Sequence, residues 1–129
     1  MRIVMLTAAL AALAAAAPAA ADPSERPEEL DACLEQAQGM TMMVTFCLSD
    51  EVTRQEGSLK AAYDNAVAVS EESQRAGVIR SQADWLRYRD GWCEAKGAFA
   101  GSGSSEYRLQ CLIRLTEQRI TELNRMDEP

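Results

Sequence analysis

Four cysteines, Cys33, Cys47, Cys93 and Cys111, are the feature that most restricts how this chain can fold. An even number of cysteines in a short exported chain is typical of a domain held by disulfides. Zinc is the competing interpretation. However, the cysteine intervals lack the C-x-x-C spacing of structural zinc sites, and the chain contains no histidine. We therefore predict two disulfides and no metal.

The start of the chain indicates the oxidising compartment that disulfides need. Residues 1–21 have the pattern of a secretory signal peptide, with Arg2 before an apolar run and small residues at the cleavage position. The run is shorter than the ~20 residues of a membrane span, and no cysteine lies near the cleavage point for lipid attachment. We expect one domain over residues 22–129, periplasmic or secreted, with no stable membrane anchor.

Charge restricts the partners of this domain. Removing the signal peptide takes away one base and no acid, which leaves 12 basic against 20 acidic side chains and a net charge of −8. That charge argues against nucleic acid and anionic membrane surfaces, and it would attract a cationic partner. The alternative is that the acids only keep a small exported domain soluble.

Apolar residues recur at helical spacing, and no run after the signal peptide alternates as a half-buried strand would. The pattern predicts a short helix over 28–38, ended by Gly39, and a long helix from about 42 to 74. Gly57 interrupts the long helix, which indicates a bend or a close helix contact there.

A turn near Ala76 and Gly77 would lead to a third helix over 78–96. A Gly/Ser segment follows, with Ser104 or Ser105 as a natural cap for a last helix that runs to about Met126. The fold class we predict is all-α, a small disulfide-linked bundle of about four helices that includes one long helix. The cysteine pairs 33–47 and 93–111 each flank one helix connection, so we expect those pairings, although sequence permits three.

The stretch SQADWLRYRDGWC, residues 81–93, holds both tryptophans of an aromatic-poor chain. On a helix, Gln82, Trp85, Arg89 and Trp92 share one face, which we expect to look inward. A buried guanidinium can stack on an indole ring, but its donors need acceptors such as the neighbouring Asp90.

Two interpretations of this face compete. One makes Arg89, Asp90 and Glu94 a catalytic or ligand-binding constellation. The other makes them a satisfied polar network within an aromatic core, with the ring of Tyr88 buried at its edge. A Ser–His or Cys–His catalytic pair cannot exist without histidine, and adjacent acids on a helix do not define a glycosidase pair. We therefore favour the structural interpretation and predict neither an enzyme nor a cofactor.

Four motifs follow one another along the chain: C-x13-C-L, L-x3-Y, Q-x2-W-x2-Y-R-D-x2-C and C-x4-T-x2-R-x3-L. With the signal peptide, they make the chain resemble the LprI-type lysozyme inhibitor N-terminal domain family over about residues 30–125. The resemblance implies a small exported helical domain and, from the member that names the family, inhibition of lysozyme. The residues we expect to form the structural core of the motif are Tyr63, Gln82, Trp85, Tyr88, Arg89, Asp90, Trp92, Thr116 and Arg119.

Because the motif residues are expected to point into the core, a partner must contact another part of the surface. The segment Ser102–Tyr107 is our candidate. It combines Gly/Ser backbone with one large aromatic. It is similar to the S-G-x-x-Y loop that β-barrel lysozyme inhibitors insert into the enzyme cleft, although Tyr107 comes one residue late for that pattern. The alternative is a flexible helix connection without a binding role. The predicted partner-binding residues are Ser102, Gly103, Ser104, Ser105, Glu106 and Tyr107.

Two functions from different classes remain. The first is a periplasmic inhibitor that binds and blocks a cationic lysozyme or another muramidase. The second is a non-inhibitory envelope interaction domain, or an immunity-like partner, without catalytic activity. The same bundle and the same charge would serve both.

Overall fold

The structure, a computed structural model, describes residues 26–126, which form four α-helices and one short 3-10 turn. The helices are α1 (Arg26–Ala37), α2 (Thr41–Val69), α3 (Glu72–Ala98) and α4 (Ser104–Asn124), and the 3-10 turn is Gly101–Gly103. Residues 26–126 contain no strand, so the predicted all-α class is confirmed. The predicted signal peptide lies outside the described residues.

The helices follow an up-and-down order. A two-residue connection makes α2 and α3 antiparallel, and a short corner makes α3 and α4 antiparallel, so α2 and α4 run in the same direction. The contact between α2 and α4 is the most extensive in the fold, α3 packs along α4, and α1 contacts α2 alone among the helices. None of the described helices is long and apolar enough to cross a membrane.

The break between α2 and α3 lies at Ser70 and Glu71, six residues before the turn we predicted at Ala76 and Gly77. The Glu71 N–H donates to Gln74 Oε1 (3.2 Å), which satisfies a donor at the start of α3. Arg75 then reaches back and donates to the Ser70 carbonyl from Nη2 (3.2 Å) and to the Val67 carbonyl from Nε (3.4 Å). These bonds pair the last carbonyls of α2, so the turn is fixed by polar caps and not by glycine.

The core consists of two apolar clusters that Trp85 joins. The first lies near the α2–α3 hairpin, and the second lies around the disulfide between α3 and α4. Trp85 packs against both clusters and is partly buried. The buried members are Leu59, Ala62, Ala66, Val78, Ile120 and Leu123 in the first cluster, and Cys93, Cys111, Leu112 and Leu115 in the second.

Both disulfides join helices that are neighbours in sequence. The structure pairs Cys33 with Cys47 and Cys93 with Cys111, at Cα–Cα distances of 5.8 and 5.4 Å, which are the pairings predicted from the helix connections. Loops of 14 and 18 residues correspond to a stabilisation of about 3 kcal/mol each in the chain-entropy model. The first bond fixes α1 on the start of α2, and the second fixes the end of α3 on the start of α4.

The corner between α3 and α4 depends on a close backbone approach at Gly97, which is buried inside α3. A Cβ placed there would lie 2.9 Å from the Ser104 carbonyl oxygen and 3.1 Å from Arg108 Cβ. Ser104 is already helical (φ −50°, ψ −43°) and the cap residue is Gly103, so the predicted serine cap is wrong. The 3-10 turn carries the chain directly into α4, which leaves no extended residue for a serine cap.

We predict that Gly97→Ala and Gly57→Ala shift stability in opposite directions. A Cβ at Gly97 must push backbone apart, and we expect a loss of about 1–3 kcal/mol. Gly57 lies within an unbroken α2 and a Cβ there would meet nothing within 4 Å, so the predicted close contact is absent. We expect that substitution to stabilise by about 0.5–1 kcal/mol, because alanine favours helix. Urea unfolding midpoints measure both, and a Gly97 variant as stable as the parent would contradict the close approach.

Candidate functional site

Arg89 on α3 connects three helices through one buried guanidinium. Its side chain is 7% exposed, and Nη1 donates to Glu56 Oε1 on α2 (2.6 Å) and to Thr116 Oγ1 on α4 (3.1 Å). Its Nε donates to Asp90 Oδ1 (2.9 Å). The Cζ atom lies 5.3 Å from the centroid of the Trp85 ring, within the range of a cation–π contact. The guanidinium is therefore paired within the fold.

Arg119 on α4 contacts the same indole. Its Nε donates to Gln82 Oε1 (3.0 Å), its Nη2 donates to Ser81 Oγ (2.9 Å), and its Cζ lies 5.7 Å from the Trp85 ring centroid. Trp85 thus carries two guanidinium contacts, and each arginine is also hydrogen-bonded to a neighbouring helix. The interactions of Arg89 and Arg119 with these partners, which we call the Arg89 network, hold α3 against α2 and α4.

The structure divides the residues that we expected in the core. Gln82, Arg89 and Thr116 are buried, while Tyr63, Trp85 and Arg119 are partly buried. Tyr88, Asp90 and Trp92 are exposed, so their expected place in the core is wrong. At about 100° per residue, these three side chains lie about 80–120° around α3 from the centre of its buried face.

A groove runs between α2 and α3, because these helices touch little beyond their hairpin. Its apolar part has a volume of about 320 Å³ and is lined by Leu59, Tyr63 and Leu86 among others. Its polar part, of about 700 Å³, is lined by charged side chains and by Leu109 and Leu112 of α4. The residue common to both parts is Glu56, whose ion pair with Arg89 crosses the groove.

The acids of this groove are already engaged by arginines. Asp90 pairs with Arg89, and Glu94 accepts from Arg108 Nε at 2.9 Å. Within residues 26–126, no group of three or more potential ligands could hold a metal ion. Asp90 and Glu94, which one interpretation placed in a catalytic or ligand-binding constellation, therefore act in the structure as ion-pair partners of arginines.

A buried polar pair that sequence reasoning missed lies on α2. Glu51 is 6% exposed and accepts from Arg54 Nη2 (2.5 Å) and from Gln55 Nε2 (2.7 Å). The amide oxygen of Gln55, Oε1, is buried and has no hydrogen-bond partner among the described residues. The only sequence signal for this pair is the helical offset, since Glu51 and Gln55 lie on the same face as Leu48 and Leu59.

The segment Ser102–Tyr107 forms the α3–α4 corner rather than a projecting loop. Its first two residues belong to the 3-10 turn, and the other four form the first turn of α4. Tyr107 is 57% exposed, and a Cβ at Gly103 would lie 3.4 Å from its ring, so the ring lies beside the turn. Phe99, which we did not single out, is 93% exposed at the end of α3.

A family model described as lysozyme inhibitor LprI matches residues 33–123. The match begins at the first cysteine and ends at Leu123 of the core, so it covers both disulfides and the Arg89 network. The uncharacterized protein R02472 of Rhizobium meliloti (strain 1021) is 39% identical over 74 residues, which are 56% of this chain and 48% of that protein. The chain therefore spans about half the length of this curated relative. No solved structure matches the chain.

We predict that Arg89→Ala destabilises the fold by about 1–3 kcal/mol, because it removes the packing on Trp85 and leaves Thr116 and Glu56 without their donor. Arg87→Ala is the matched control, since that side chain is 75% exposed and pairs with Asp84 on the same helix. We expect the control to change stability by less than about 0.5 kcal/mol. Thermal unfolding measures both variants. An Arg89 variant that melts with the parent and yet loses partner binding would show that the network is a binding site.

Proposed function

The chain belongs to the lysozyme inhibitor LprI family, and from this membership we propose that it binds and blocks a muramidase that cleaves peptidoglycan. The family match is the observation that carries the proposal. The family is described as lysozyme inhibitor, which fits a protein that acts by binding an enzyme. The two disulfides fit the extracytoplasmic compartment in which such an inhibitor would meet the enzyme.

Charge supports the same kind of partner. We propose that the mature chain, with 12 basic and 20 acidic side chains, attracts an enzyme of the opposite charge. Attraction between complementary surfaces raises the rate of encounter more than it raises final affinity, and salt screens it.

The α3–α4 corner is the part of the surface that we assign to the enzyme contact. Ser102, Ser105 and Tyr107 are exposed there, and the Cys93–Cys111 disulfide together with the close approach at Gly97 fixes the backbone beneath them. A rigid support lowers the conformational entropy that binding costs. Tyrosine is also enriched among the interface residues that carry most of the affinity.

A non-inhibitory envelope interaction domain is the second candidate. The observation that favours it is the helical conformation of Ser104–Tyr107, which shortens the corner so that it does not form an extended plug. A corner of this shape suits contact with a flat surface as well as contact with a cleft.

We predict that the purified protein slows the lysis of a suspension of bacterial cells by a muramidase. Turbidity measured with chicken-type, goose-type and bacterial muramidases, each with and without micromolar protein, tests this. The inhibition should weaken as salt is raised, because part of the encounter is electrostatic. Undiminished lysis by every enzyme would favour the non-inhibitory interaction domain.

We further predict that Tyr107→Ala lowers affinity for the muramidase by more than about tenfold, or about 1.4 kcal/mol, with an unchanged helical circular dichroism signal. Gln118→Ala, an exposed residue of α4 away from the corner, is the control, and we expect it to bind as the parent does. The assignment of the corner is wrong if the tyrosine variant inhibits as well as the parent. Loss of activity that accompanies unfolding would instead give Tyr107 a structural role.

A further inference from the structure

The start of α2 exposes four large apolar side chains. Met40, Met42, Met43 and Phe46 are 57%, 81%, 38% and 62% exposed. Met42 and Met43 lie four and three residues before Phe46, and Met40 lies three residues before Met43, so these side chains are neighbours on the helix surface. Single exposed apolar side chains are ordinary, but a contiguous group of them marks a contact surface. We call Met40, Met42, Met43 and Phe46 the Met–Phe patch.

The charge around the patch differs from the charge of the rest of the molecule. Residues 27–53 contain six acids, of which Glu51 is buried, and no Lys or Arg. By contrast, α3 carries five bases and four acids, and α4 carries three of each. The α3–α4 corner, residues 94–108, is likewise balanced, with two acids and two bases. The excess of acids that would attract a basic protein therefore lies on α1 and the first part of α2, next to the patch.

Three of these acids flank the patch without an arginine partner. Asp50 lies one helical turn after the last patch residue on α2. The disulfide holds the Cα atoms of Cys33 and Cys47 5.8 Å apart, and Asp31 and Glu35 lie two residues on either side of Cys33, so this part of α1 lies beside the patch. All three acids are exposed, and within residues 26–126 none of them forms an ion pair. These carboxylates are available to a partner, unlike the acids of the α2–α3 groove.

The patch lies at the same end of the molecule as the α3–α4 corner. Glu56 of α2 pairs with Arg89 of α3, and the two helices are antiparallel. Phe46 lies ten residues before Glu56, and Phe99 lies ten residues after Arg89, which corresponds to about 15 Å along each helix axis in the same direction. One partner can therefore contact the patch and the corner together.

We propose that the Met–Phe patch, with the acids beside it, is the surface that receives the cationic muramidase, as a second contact next to the α3–α4 corner. This inference rests on the proposed function. Met and aromatic residues are enriched at the centres of interfaces, which a polar rim surrounds, and the flexible thioethers of Met adapt to a partner's surface. The occupant follows from the local charge. Six acids without a base in residues 27–53 repel a second copy of the chain and an anionic membrane, and they attract a basic protein.

The first test changes the charge of the full protein by the same amount in two places and measures association with the muramidase that the parent inhibits. The patch variant combines three substitutions beside the patch, Asp31→Asn, Glu35→Gln and Asp50→Asn. The control variant combines three substitutions of exposed acids on α3 and α4, Glu72→Gln, Asp84→Asn and Glu117→Gln. At low salt we expect association to slow by about fivefold or more for the patch variant and by less than about twofold for the control. Equal slowing of the two variants would show that the location of the charge does not matter, and the proposal would be wrong.

The second test removes the apolar contact. We expect Met42→Ala and Phe46→Ala each to raise the dissociation constant by about fivefold or more. Met126→Ala is the matched control, because Met126 is also exposed (48%) but lies beside the α2–α3 hairpin, at the opposite end of the molecule, and we expect a change of less than about twofold. Circular dichroism checks that each variant folds, and the high exposure of Met42 makes that variant independent of core packing.

The possible failures are distinguishable. A parent that binds none of the muramidases overturns the proposed function and the patch together. A parent that binds, with Met42 and Phe46 variants that bind equally well, overturns the patch alone and leaves the contact to the corner, even if the charge variant associates slowly. Sedimentation of the protein by itself is the remaining measurement: if the parent is a dimer that Phe46→Ala dissociates, the patch is a contact between two copies and our assignment is wrong.

Discussion

The hydrogen bonds of one guanidinium hold the three long helices in register. Arg89 donates to Glu56 on α2 and to Thr116 on α4, and its own helix supplies Asp90. Because α2 and α3 make little other contact beyond their hairpin, the pair with Glu56 spans a groove that apolar packing does not fill. The rotation of α3 about its axis, and with it the direction of every side chain on that helix, depends on this network.

The energetics of the network follow from which of its members are buried. Burying two opposite charges together often costs as much as their attraction returns. Here the arginine is buried, while Glu56 and Asp90 remain 44% and 60% exposed. The acids keep part of their hydration, and the cation gains fixed acceptors and the face of Trp85. The arrangement thus avoids most of the desolvation that a fully buried ion pair would carry, yet fixes the orientation of the helix.

Sequence reasoning predicted the helical class, the disulfide pairs and the burial of Arg89, because helical offsets and cysteine spacing depend on local geometry alone. It misplaced the turn before α3. Ala76 and Gly77 are the more obvious turn residues in the sequence, but the side chains of Gln74 and Arg75 cap the helix ends at Ser70 and Glu71 and fix the turn there. It also placed Trp92 inward. A helix with many large side chains permits two overlapping stripes, and the choice between them depends on where α2 and α4 lie, which no pattern within α3 specifies. The offsets of Tyr88, Trp92 and Phe99 were the signal that could have found the second stripe.

The placement of the two disulfides has a mechanical consequence. One closes α1 with α2 and the other closes α3 with α4, so the molecule consists of two covalently closed halves that are joined by the backbone at Ser70 and Glu71 and otherwise by noncovalent contacts. Force or thermal motion that separates the halves needs to break no covalent bond, whereas separation within either half does. Parting of the halves would separate the face between α2 and α4 and break the bond from Arg89 to Glu56, while the α3–α4 corner proposed for the partner would stay whole on one closed half.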